Sequence, residues 1–157
     1  MAVSIEDIKK LYPLPVYNYK VSIDGETIAF SQVTGLSMSY ATSMYKESPT
    51  EAGAPGPVVR RVPSQPADVT ITLQKGVVRG KSVATLFNWI NSKRLNLIQK
   101  KDIRIDLCDE NGDATISWTV HNAFPTKLDA PSFDANNNDA AVESLQLMAD
   151  LITIEEV

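Results

Sequence analysis

Along most of this chain, apolar and polar residues alternate with a period of two, which is the pattern of β-strands with one buried face. The segment DVTITLQK, residues 68–75, is the cleanest example, since Val69, Ile71 and Leu73 share one face and polar residues occupy the other. In the segment that ends the chain, the apolar phase changes after Leu151, which predicts a β-bulge. The pattern therefore predicts a protein built mainly of strands.

Two hairpins follow from the same alternation. In residues 102–121, Asn111 and Gly112 are expected to form a two-residue type I′ turn, so that apolar residues of both strands share one face. The pairs in this register are Leu107 with Ile116, Ile105 with Trp118, and Ile103 with Val120. A second hairpin is expected to turn at Asp24 and Gly25. Its apolar pairs are Val21 with Ile28 and Tyr19 with Phe30.

One segment has the periodicity of a substantial helix. The apolar residues at helical spacing are Val83, Leu86, Phe87 and Ile90. Ser82 is the candidate N-cap of this helix, Phe87 is expected in the core, and Trp89 falls just outside the apolar stripe. A shorter helix is predicted at residues 4–11, with Ser4 as its N-cap.

Residues 46–66 interrupt the alternating pattern. From position 48 onward, this segment contains five of the nine prolines and two of the seven glycines of the chain. Because proline has no N–H to donate to a strand ladder, no central strand tolerates such a sequence. The segment is therefore predicted to be one extended Pro/Gly-rich loop, and long loops of this kind in compact domains are usually functional or disordered.

Together these patterns predict about seven strands, including one near residues 37–45, and one flanking α-helix. That arrangement is typical of a mainly β protein, an antiparallel β-barrel or β-sandwich that a helix closes or caps. The 157 residues are enough to bury one core and are interpreted as a single domain, residues 1–157.

Composition excludes several classes of function. The net charge is −4 and the basic residues are dispersed, which argues against binding to nucleic acid through a cationic surface. A single cysteine, Cys108, excludes an internal disulfide framework. The first residues, MAVSIEDIKK, have acidic residues where a secretory signal has an apolar run, so synthesis and folding in the cytoplasm are expected.

The segment KGVVRGKS, residues 75–82, ends like a phosphate-binding loop. That loop requires G-x-x-x-x-G-K-[ST], because its length wraps backbone N–H groups around the phosphates. Here the first glycine would have to stand at position 75, which is Lys75. The simpler interpretation is the end of a strand, a short loop and the start of a helix. A nucleotide site would instead predict nucleotide binding that is lost in Lys81→Ala.

Other candidate chemistry is equally weak. His121 is the only histidine, and the hairpin register places it opposite Asp102 and too far from Cys108 for a nucleophile pair. The acidic segments 106–113 and 133–139 lack the ligand spacing of a calcium loop and are interpreted as turns that Asp and Asn cap. No catalytic residue, metal or cofactor is therefore predicted, which favours a structural or binding role.

Several segments in order resemble one family. They are VSIDGETIAFSQVTGL, ITLQKG, LFNWINS, KKDIRIDLCDENG, NAFPTKL and APSFDA. This series resembles the inner tube proteins of contractile tails, which include those of T4-like phages and of extracellular contractile injection systems, with the type VI secretion protein Hcp as a more distant member of the fold. The resemblance covers residues 12–155.

The resemblance implies a structural protein and not an enzyme. Its partners would be five further copies in a homohexameric ring, the adjacent tube rings, and the sheath, spike hub and baseplate proteins. It implies no specificity for nucleic acid, and contact with a membrane only through the assembled device. Assembly would take place in the bacterial cytoplasm, as part of a tail-like particle that can be released.

The resemblance also implies where subunits meet. In the family, a loop that follows a Tyr-Lys pair like Tyr45-Lys46 contacts the adjacent ring. The contact residues expected on this basis are Tyr45, Lys46, Glu47, Arg60 and Arg61. Trp89 is added from the helix motif LFNWINS, because it falls just outside the apolar stripe. Two simpler interpretations stay open: the two arginines are solvated loop charges, and Trp89 packs within its own chain.

The unusual sequence of residues 46–66 leaves two variants of this function open. The chain is either the main tube subunit or a tube-initiating subunit next to the baseplate, and a modified loop favours the second. An alternative from another class is a stand-alone β-sandwich that uses residues 46–66 to bind a peptide or glycan, which predicts a stable monomer.

Overall fold

The computed structural model describes residues 2–92 and 97–157. The described chain contains ten strands and two short α-helices. The strands are β1 Tyr19–Ile23, β2 Glu26–Ile28, β3 Gln32–Thr34, β4 Tyr40–Glu47, β5 Val58–Pro66, β6 Val69–Gly76, β7 Lys101–Cys108, β8 Ala114–Asp129, β9 Val142–Ala149 and β10 Leu151–Glu156. The helices are α1 Ile5–Leu11 and α2 Asn88–Asn91, and a π-helical turn, Val83–Phe87, runs directly into α2.

All strand pairs are antiparallel, which confirms the predicted mainly β class. Seven strands lie in the hydrogen-bonded order β2-β1-β7-β8-β9-β6-β3, and β10 pairs with β8 beside them. The outermost strands β2 and β3 do not pair with each other in the described chain, so the sheet folds as an open sandwich and not as a closed barrel. The remaining strands, β4 and β5, pair only with each other.

The long strand β8 joins the two layers of the sandwich. Its first part pairs with β7 and β10, and its last part pairs with β9. The register continues across the break between β9 and β10, since Met148 lies opposite Phe124 and Leu151 lies opposite His121. At this break Asn122 has a φ of 55°, and its side-chain amide donates a 2.9 Å hydrogen bond to the Asp150 carboxylate.

This corner explains the change of apolar phase near the end of the chain. Leu147 is buried on one side of Asp150 and Ile152 is buried on the other, although an uninterrupted strand would place them on opposite faces. The Asp150 N–H donates to the His121 carbonyl at 3.0 Å, which keeps the two strands paired through the break. The predicted change of apolar phase is confirmed, but it is a break between two strands and not a β-bulge, since the register is the same on both sides.

The inner faces of both layers form one apolar core. Its fully buried members come from β1, β7 and β8 in one layer and from β6 and β9 in the other, and Leu86 covers them from the helical segment. The largest are Ile71, Leu73, Leu86, Ile103, Leu145 and Leu147. The predicted inward face of residues 68–75 and the three apolar pairs of the long hairpin are confirmed.

The turn of the long hairpin differs from the prediction. Asn111 does not have the positive φ that a type I′ turn requires, and Cys108 lies opposite Ala114 after a shift of register. The Asp109 carboxylate accepts hydrogen bonds from the N–H groups of Asn111 and Asp113, at 2.9 and 3.0 Å. A longer turn closed by an aspartate therefore replaces the two-residue turn, because these local hydrogen bonds compete with the ladder.

The first hairpin follows the prediction more closely. Val21 lies opposite Ile28, as expected, and Asp24 and Gly25 both have positive φ in the turn. Phe30 lies beyond the end of β2, and its carbonyl instead accepts a 2.7 Å hydrogen bond from the Tyr19 hydroxyl. The strand expected near residues 37–45 is β4, which begins at Tyr40, and β3 is an additional short strand that ends before Gly35.

The prediction of an extended loop over residues 46–66 is wrong in its second half. Residues 58–66 form β5, and only residues 48–57 connect it to β4. Proline is excluded from central strands because both of their edges form hydrogen bonds. Each strand of an isolated pair has one edge that forms none, and a proline whose nitrogen lies on that edge costs no hydrogen bond. The register also shifts between Tyr40 and Thr42, opposite Pro66 and Pro63.

The helical segment also differs from its prediction. Phe87 is 47% exposed and Trp89 is 4% exposed, which reverses the expected roles of the two residues. The segment begins with a π-helical turn, whose wider winding rotates the buried stripe to Leu86 and Trp89. Ser82 stands at the predicted N-cap position, but its side chain does not cap the helix, because its hydroxyl accepts a 2.8 Å hydrogen bond from the Val78 N–H. At the first helix, by contrast, Ser4 caps the Asp7 N–H as expected.

We expect Gly35→Ala to lower the free energy of unfolding more than Gly25→Ala. Both glycines have positive φ, near 88° and 84°, which costs alanine about 1–2 kcal/mol. A Cβ at Gly35 would also overlap the Thr70 carbonyl oxygen, whereas a Cβ at Gly25 meets open space. Overpacking of that kind costs about 1–3 kcal/mol more. Urea unfolding of the two variants measures the difference, and equal midpoints would contradict the close approach of β6 at Gly35.

Candidate functional site

Strands β4 and β5 form a two-stranded ribbon that pairs with no other strand of the described chain. We call these strands and their connection, residues 40–66, the ribbon. A single pair of strands is marginally stable in water, and three or more strands or a packed helix are needed for independent stability. The ribbon therefore has the construction of an element that is completed by another surface.

Each face of the ribbon has its own composition. On one face, Met44 lies opposite Arg61 and Lys46 lies opposite Val59, and we call this the Met44 face. On the other, Tyr45 lies opposite Arg60 and Ser43 opposite Val62, and we call this the Tyr45 face. Both faces mix apolar side chains with basic ones.

The apolar side chains of the ribbon are exposed. Those exposed by about half or more of their surface are Tyr40, Met44, Tyr45, Val59 and Val62. Single exposed apolar residues are ordinary on protein surfaces, but a contiguous group marks a site of contact with another molecule. The exposed group here lies on an element that contributes no residue to the core.

The charges of the ribbon strands are unequally paired. Arg60 and Glu47 form an ion pair on the Tyr45 face, with 2.7 Å between Nε and Oε1. Lys46 and Arg61 lie on the Met44 face and form no ion pair among the described residues. An exposed ion pair such as Arg60–Glu47 contributes about 0–1 kcal/mol to the free energy of unfolding. Its main effect is therefore to orient the two side chains.

The structure brings together five of the six contact residues that the sequence suggested. Tyr45, Lys46, Glu47, Arg60 and Arg61 all lie in the half of the ribbon next to the connection between its strands. The sixth residue lies elsewhere, and the sequence argument missed Met44, Val59 and Val62. Their signal was the alternation of apolar and polar residues within VVRRV, which the prolines on either side obscured.

Trp89 does not belong to this surface. Its ring is buried in the core, and its indole N–H donates a 2.7 Å hydrogen bond to the Gln99 carbonyl. The Lys101 ammonium lies 5.1 Å from the ring centroid, within the range of a cation–π contact. The expectation that Trp89 contacts a neighbouring subunit is wrong, because its side chain has almost no surface left to contribute.

A polar network covers the outer face of the first layer. Arg104 donates to the Asp106 carboxylate at 2.7 Å and to the Ser117 hydroxyl at 3.0 Å. The hydrogen bond and charge of Asp106 raise the pKa of Arg104, which keeps it a cation. The Ser117 hydroxyl also donates to the Asp106 carboxylate, but Ser117 is fully buried, so this pair is not accessible to a substrate.

The remaining polar candidates are structural. The His121 ring nitrogens lie 3.0 Å from the Thr153 hydroxyl and 4.0 Å from the Asp102 carboxylate, on an open sheet face. The acidic turns cap their own backbone as expected, since Asp134 accepts from the Asn136 N–H. No group of three metal-binding side chains occurs among residues 2–92 and 97–157. In the same residues, no helix is long and apolar enough to cross a bilayer.

A wide groove opens at one end of the sandwich. Its volume is about 760 Å³, and it lies between the inner face of β1, β7 and β8 and the segment of residues 30–36. Tyr19 forms part of the wall, and burial raises the pKa of its hydroxyl, which donates to the Phe30 carbonyl. The groove is lined mainly by apolar side chains, including Val33, Leu107 and Trp118.

Known structures share the whole fold. A chain of the extracellular contractile injection system PVC, from its sheath–tube complex in the extended state, is 42% identical over 99% of this chain and 100% of that chain, with a TM-score of 0.89. A chain from the tube-terminating cap of the anti-feeding prophage is 39% identical over the full length of both chains, with a TM-score of 0.84. Neither supports a stand-alone binding module.

Two further structures share the fold at low identity. A chain from the six-fold symmetrised baseplate of the anti-feeding prophage is 19% identical, covers 92% of this chain and 97% of that chain, and has a TM-score of 0.74. An Hcp protein is 11% identical, with a TM-score of 0.51 over 88% of this chain and 90% of that chain. The expected distant relation to the Hcp fold is therefore confirmed.

No curated protein matches the chain at a significant level. The sequence profile of one family, described as the T4-like virus tail tube protein gp19, matches residues 15–153. The match spans both layers of the sandwich, the ribbon and the corner, and it agrees with the resemblance seen in the sequence. The chain belongs to the T4-like tail tube protein family.

Proposed function

We propose that this protein is a subunit of the inner tube of a contractile injection system. The observation that supports this most strongly is the full-length similarity, at 42% identity, to a chain from a sheath–tube complex. A ribbon that lacks a supporting layer within its own chain agrees with a subunit that is completed by its neighbours.

The proposed assembly is a hexameric ring that stacks on further rings. A six-fold symmetrised baseplate contains a chain of the same fold. In a ring of six identical subunits arranged head to tail, one surface patch of each subunit contacts a different patch of the next. A second contact of this kind along the ring axis adds ring upon ring and produces a tube. The sheath, spike hub and baseplate proteins are the further partners. The particle reaches membranes only as an assembled device, after assembly in the cytoplasm.

We further propose that the protein has a structural role without catalysis. In the Arg104–Asp106–Ser117 network the polar groups are engaged with each other, and the Ser117 hydroxyl is buried. The family to which the chain belongs is one of tube proteins.

The main tube subunit is the better of the two variants. The tube-initiating variant depended on a modified loop, but residues 58–66 form a regular strand of the ribbon. The identity is 42% to the chain from the sheath–tube complex and 19% to the chain from the baseplate. Both observations favour a subunit whose two ring faces meet copies of itself.

The ribbon is the proposed contact with the adjacent ring. It presents apolar side chains on both faces, together with Lys46, Arg60 and Arg61. Burial of apolar surface stabilises an interface by about 25 cal/mol per Å², whereas exposed charges mainly select the partner and its orientation. The five ribbon residues first suggested by the sequence would then select the partner, and Met44, Val59 and Val62 would supply most of the stabilisation.

We expect the purified protein to form rings or tubes, and Met44→Asp with Val62→Asp to prevent stacking. A carboxylate on each face of the ribbon would be desolvated without a partner, which should lower the extent of stacking at least tenfold. Light scattering and negative-stain images of equal concentrations measure it. Val77→Asp, at an exposed apolar residue outside the ribbon, is the matched control.

Two results would contradict the proposal. One is a protein that stays monomeric alone and with sheath, hub and tube partners supplied. The other is a ribbon variant that stacks as well as the Val77→Asp control.

We also expect amide hydrogen exchange in β4 and β5 to be faster than in β6 before assembly. The ribbon has no core beneath it, whereas β6 is buried between β3 and β9. On assembly, the exchange of residues 40–47 and 58–66 should slow by at least tenfold, because a second surface then covers them. Mass spectrometry of peptides from both segments measures this, and unchanged exchange in the assembled state would exclude the ribbon as the contact.

A further inference from the structure

We propose that the groove beside Tyr19, Leu107 and Trp118 receives the Met44 face of the ribbon from a second copy of this chain. The inference rests on the proposed function, in which the ribbon contacts another subunit, and it adds the surface on which the ribbon docks. Three properties of the groove support it: its origin in the fold, its apolar lining and the charge of its rim.

The groove exists because the second layer of the sandwich is too short to cover the first. The layer of β9, β6 and β3 ends with β3, which has only three residues, Gln32–Thr34. The inner face of β1, β7 and β8 extends past it toward the long hairpin turn, where Leu107 and Trp118 stay half-buried. A face of the sheet with the composition of a core is thus left open to an occupant.

The lining of the groove is suited to apolar side chains. Among its residues are Phe30, Val33, Leu36, Ile105, Leu107 and Trp118. The hydrogen bond from Tyr19 to the Phe30 carbonyl fixes one wall, so the groove is preformed. Its volume of about 760 Å³ lies within the roughly 300–1,000 Å³ range of specific binding pockets and can accept several side chains.

No charged residue of the described chain lines the groove itself, and we call the surface that adjoins it at Tyr17, which carries acidic side chains, its rim. A second depression meets the groove at Tyr17 and is lined by Asp109 and Glu110 of the long hairpin turn. Asp113 belongs to the same turn and is exposed. Lys9 lies 3.4 Å from Glu110, and the Lys20 ammonium donates to the Gly112 carbonyl of the same turn at 3.0 Å. These two cations offset most of the charge of the three carboxylates and leave a small negative excess.

The Met44 face is the surface that matches this groove. Met44 and Val59 are exposed apolar residues of this face. Lys46 and Arg61 flank them on the same face and have no ion-pair partner among the described residues. The Tyr45 face is a poorer match, because its Arg60 already pairs with Glu47. Complementary charge of this kind sets the orientation of docking more than its strength.

The occupant is a second copy and not the ribbon of the same chain. No residue of the ribbon lines the groove, although the chain enters the ribbon only a few residues after Leu36. Each subunit therefore offers one ribbon and one groove at different places. A contact of this heterologous kind propagates from subunit to subunit, as stacked rings require.

The test is cross-linking between copies in the assembled full-length protein. Met44→Cys with Gln32→Cys places one thiol on the Met44 face and one at the mouth of the groove, since Gln32 is exposed. The control, Met44→Cys with Thr27→Cys, moves the second thiol to an exposed position of β2 that does not line the groove. A short bismaleimide is the reagent, and the native Cys108 is buried.

We expect the variant with cysteines at Met44 and Gln32 to form covalent dimers and longer cross-linked oligomers. Their yield should be at least tenfold higher than in the variant with cysteines at Met44 and Thr27. Equal yields in both pairs, or dimers only in the Thr27 pair, would overturn the proposed docking surface. If ribbon variants abolish stacking while the Gln32 pair does not cross-link, the tube function stands and this surface is wrong. If no assembly forms with any partner, both proposals fail together.

A charge exchange gives an independent measurement. Arg61→Glu should reduce stacking about tenfold at low salt, and the added change Asp113→Lys should restore most of it. Asp139→Lys, at another exposed aspartate, is the matched control and should restore nothing. All of these differences should shrink as salt rises, because exposed charges are screened. Restoration by Asp139→Lys as large as that by Asp113→Lys would contradict the proposed contact of Arg61 with the acidic turn.

Discussion

The continuous pairing of β8 with β9 and β10 is the interaction on which the rest of the structure depends. Strand β8 belongs to both layers. At the corner formed by Asn122 and Asp150, the chain that pairs with β8 reverses which of its side chains point inward, and the register of pairing is kept. Leu147 and Ile152 are both buried as a result. Without this corner the two layers would not share a core, because period-two alternation places consecutive odd and even residues on opposite faces.

This arrangement also determines which parts of the chain remain outside the core. The layers take up eight strands, and the ribbon remains outside them with apolar residues on both of its faces. At the same time the shorter layer leaves the groove beside Trp118 uncovered. An isolated strand pair and an open apolar groove are both unfavourable in a free monomer, and each can be satisfied by the other in a neighbouring copy. Assembly is thus a consequence of how the core is divided.

Local pairing could be read from the sequence, and distant packing could not. The registers of Val21 with Ile28 and of Ile105 with Trp118 were predicted correctly, because each is fixed by a nearby turn and one apolar face. The second strand of the ribbon was missed, since its side chains form no buried face and it contains Pro63. At the contact surface, the charged and tyrosine residues were anticipated from family resemblance, while Trp89 was placed wrongly because a π-helical turn rotated the helix.

The sequence by itself determined the strand class, the two hairpin registers, the phase change at the end of the chain and membership of the tail tube family. These depend on side-chain alternation and on short-range turns, which one chain records directly. Only the tertiary structure decided which strands share a layer, that residues 58–66 form a strand, and that a groove with an acidic rim lies at one end of the sandwich. Such features arise from contacts between residues far apart in the chain, and their energies appear only once the core has formed.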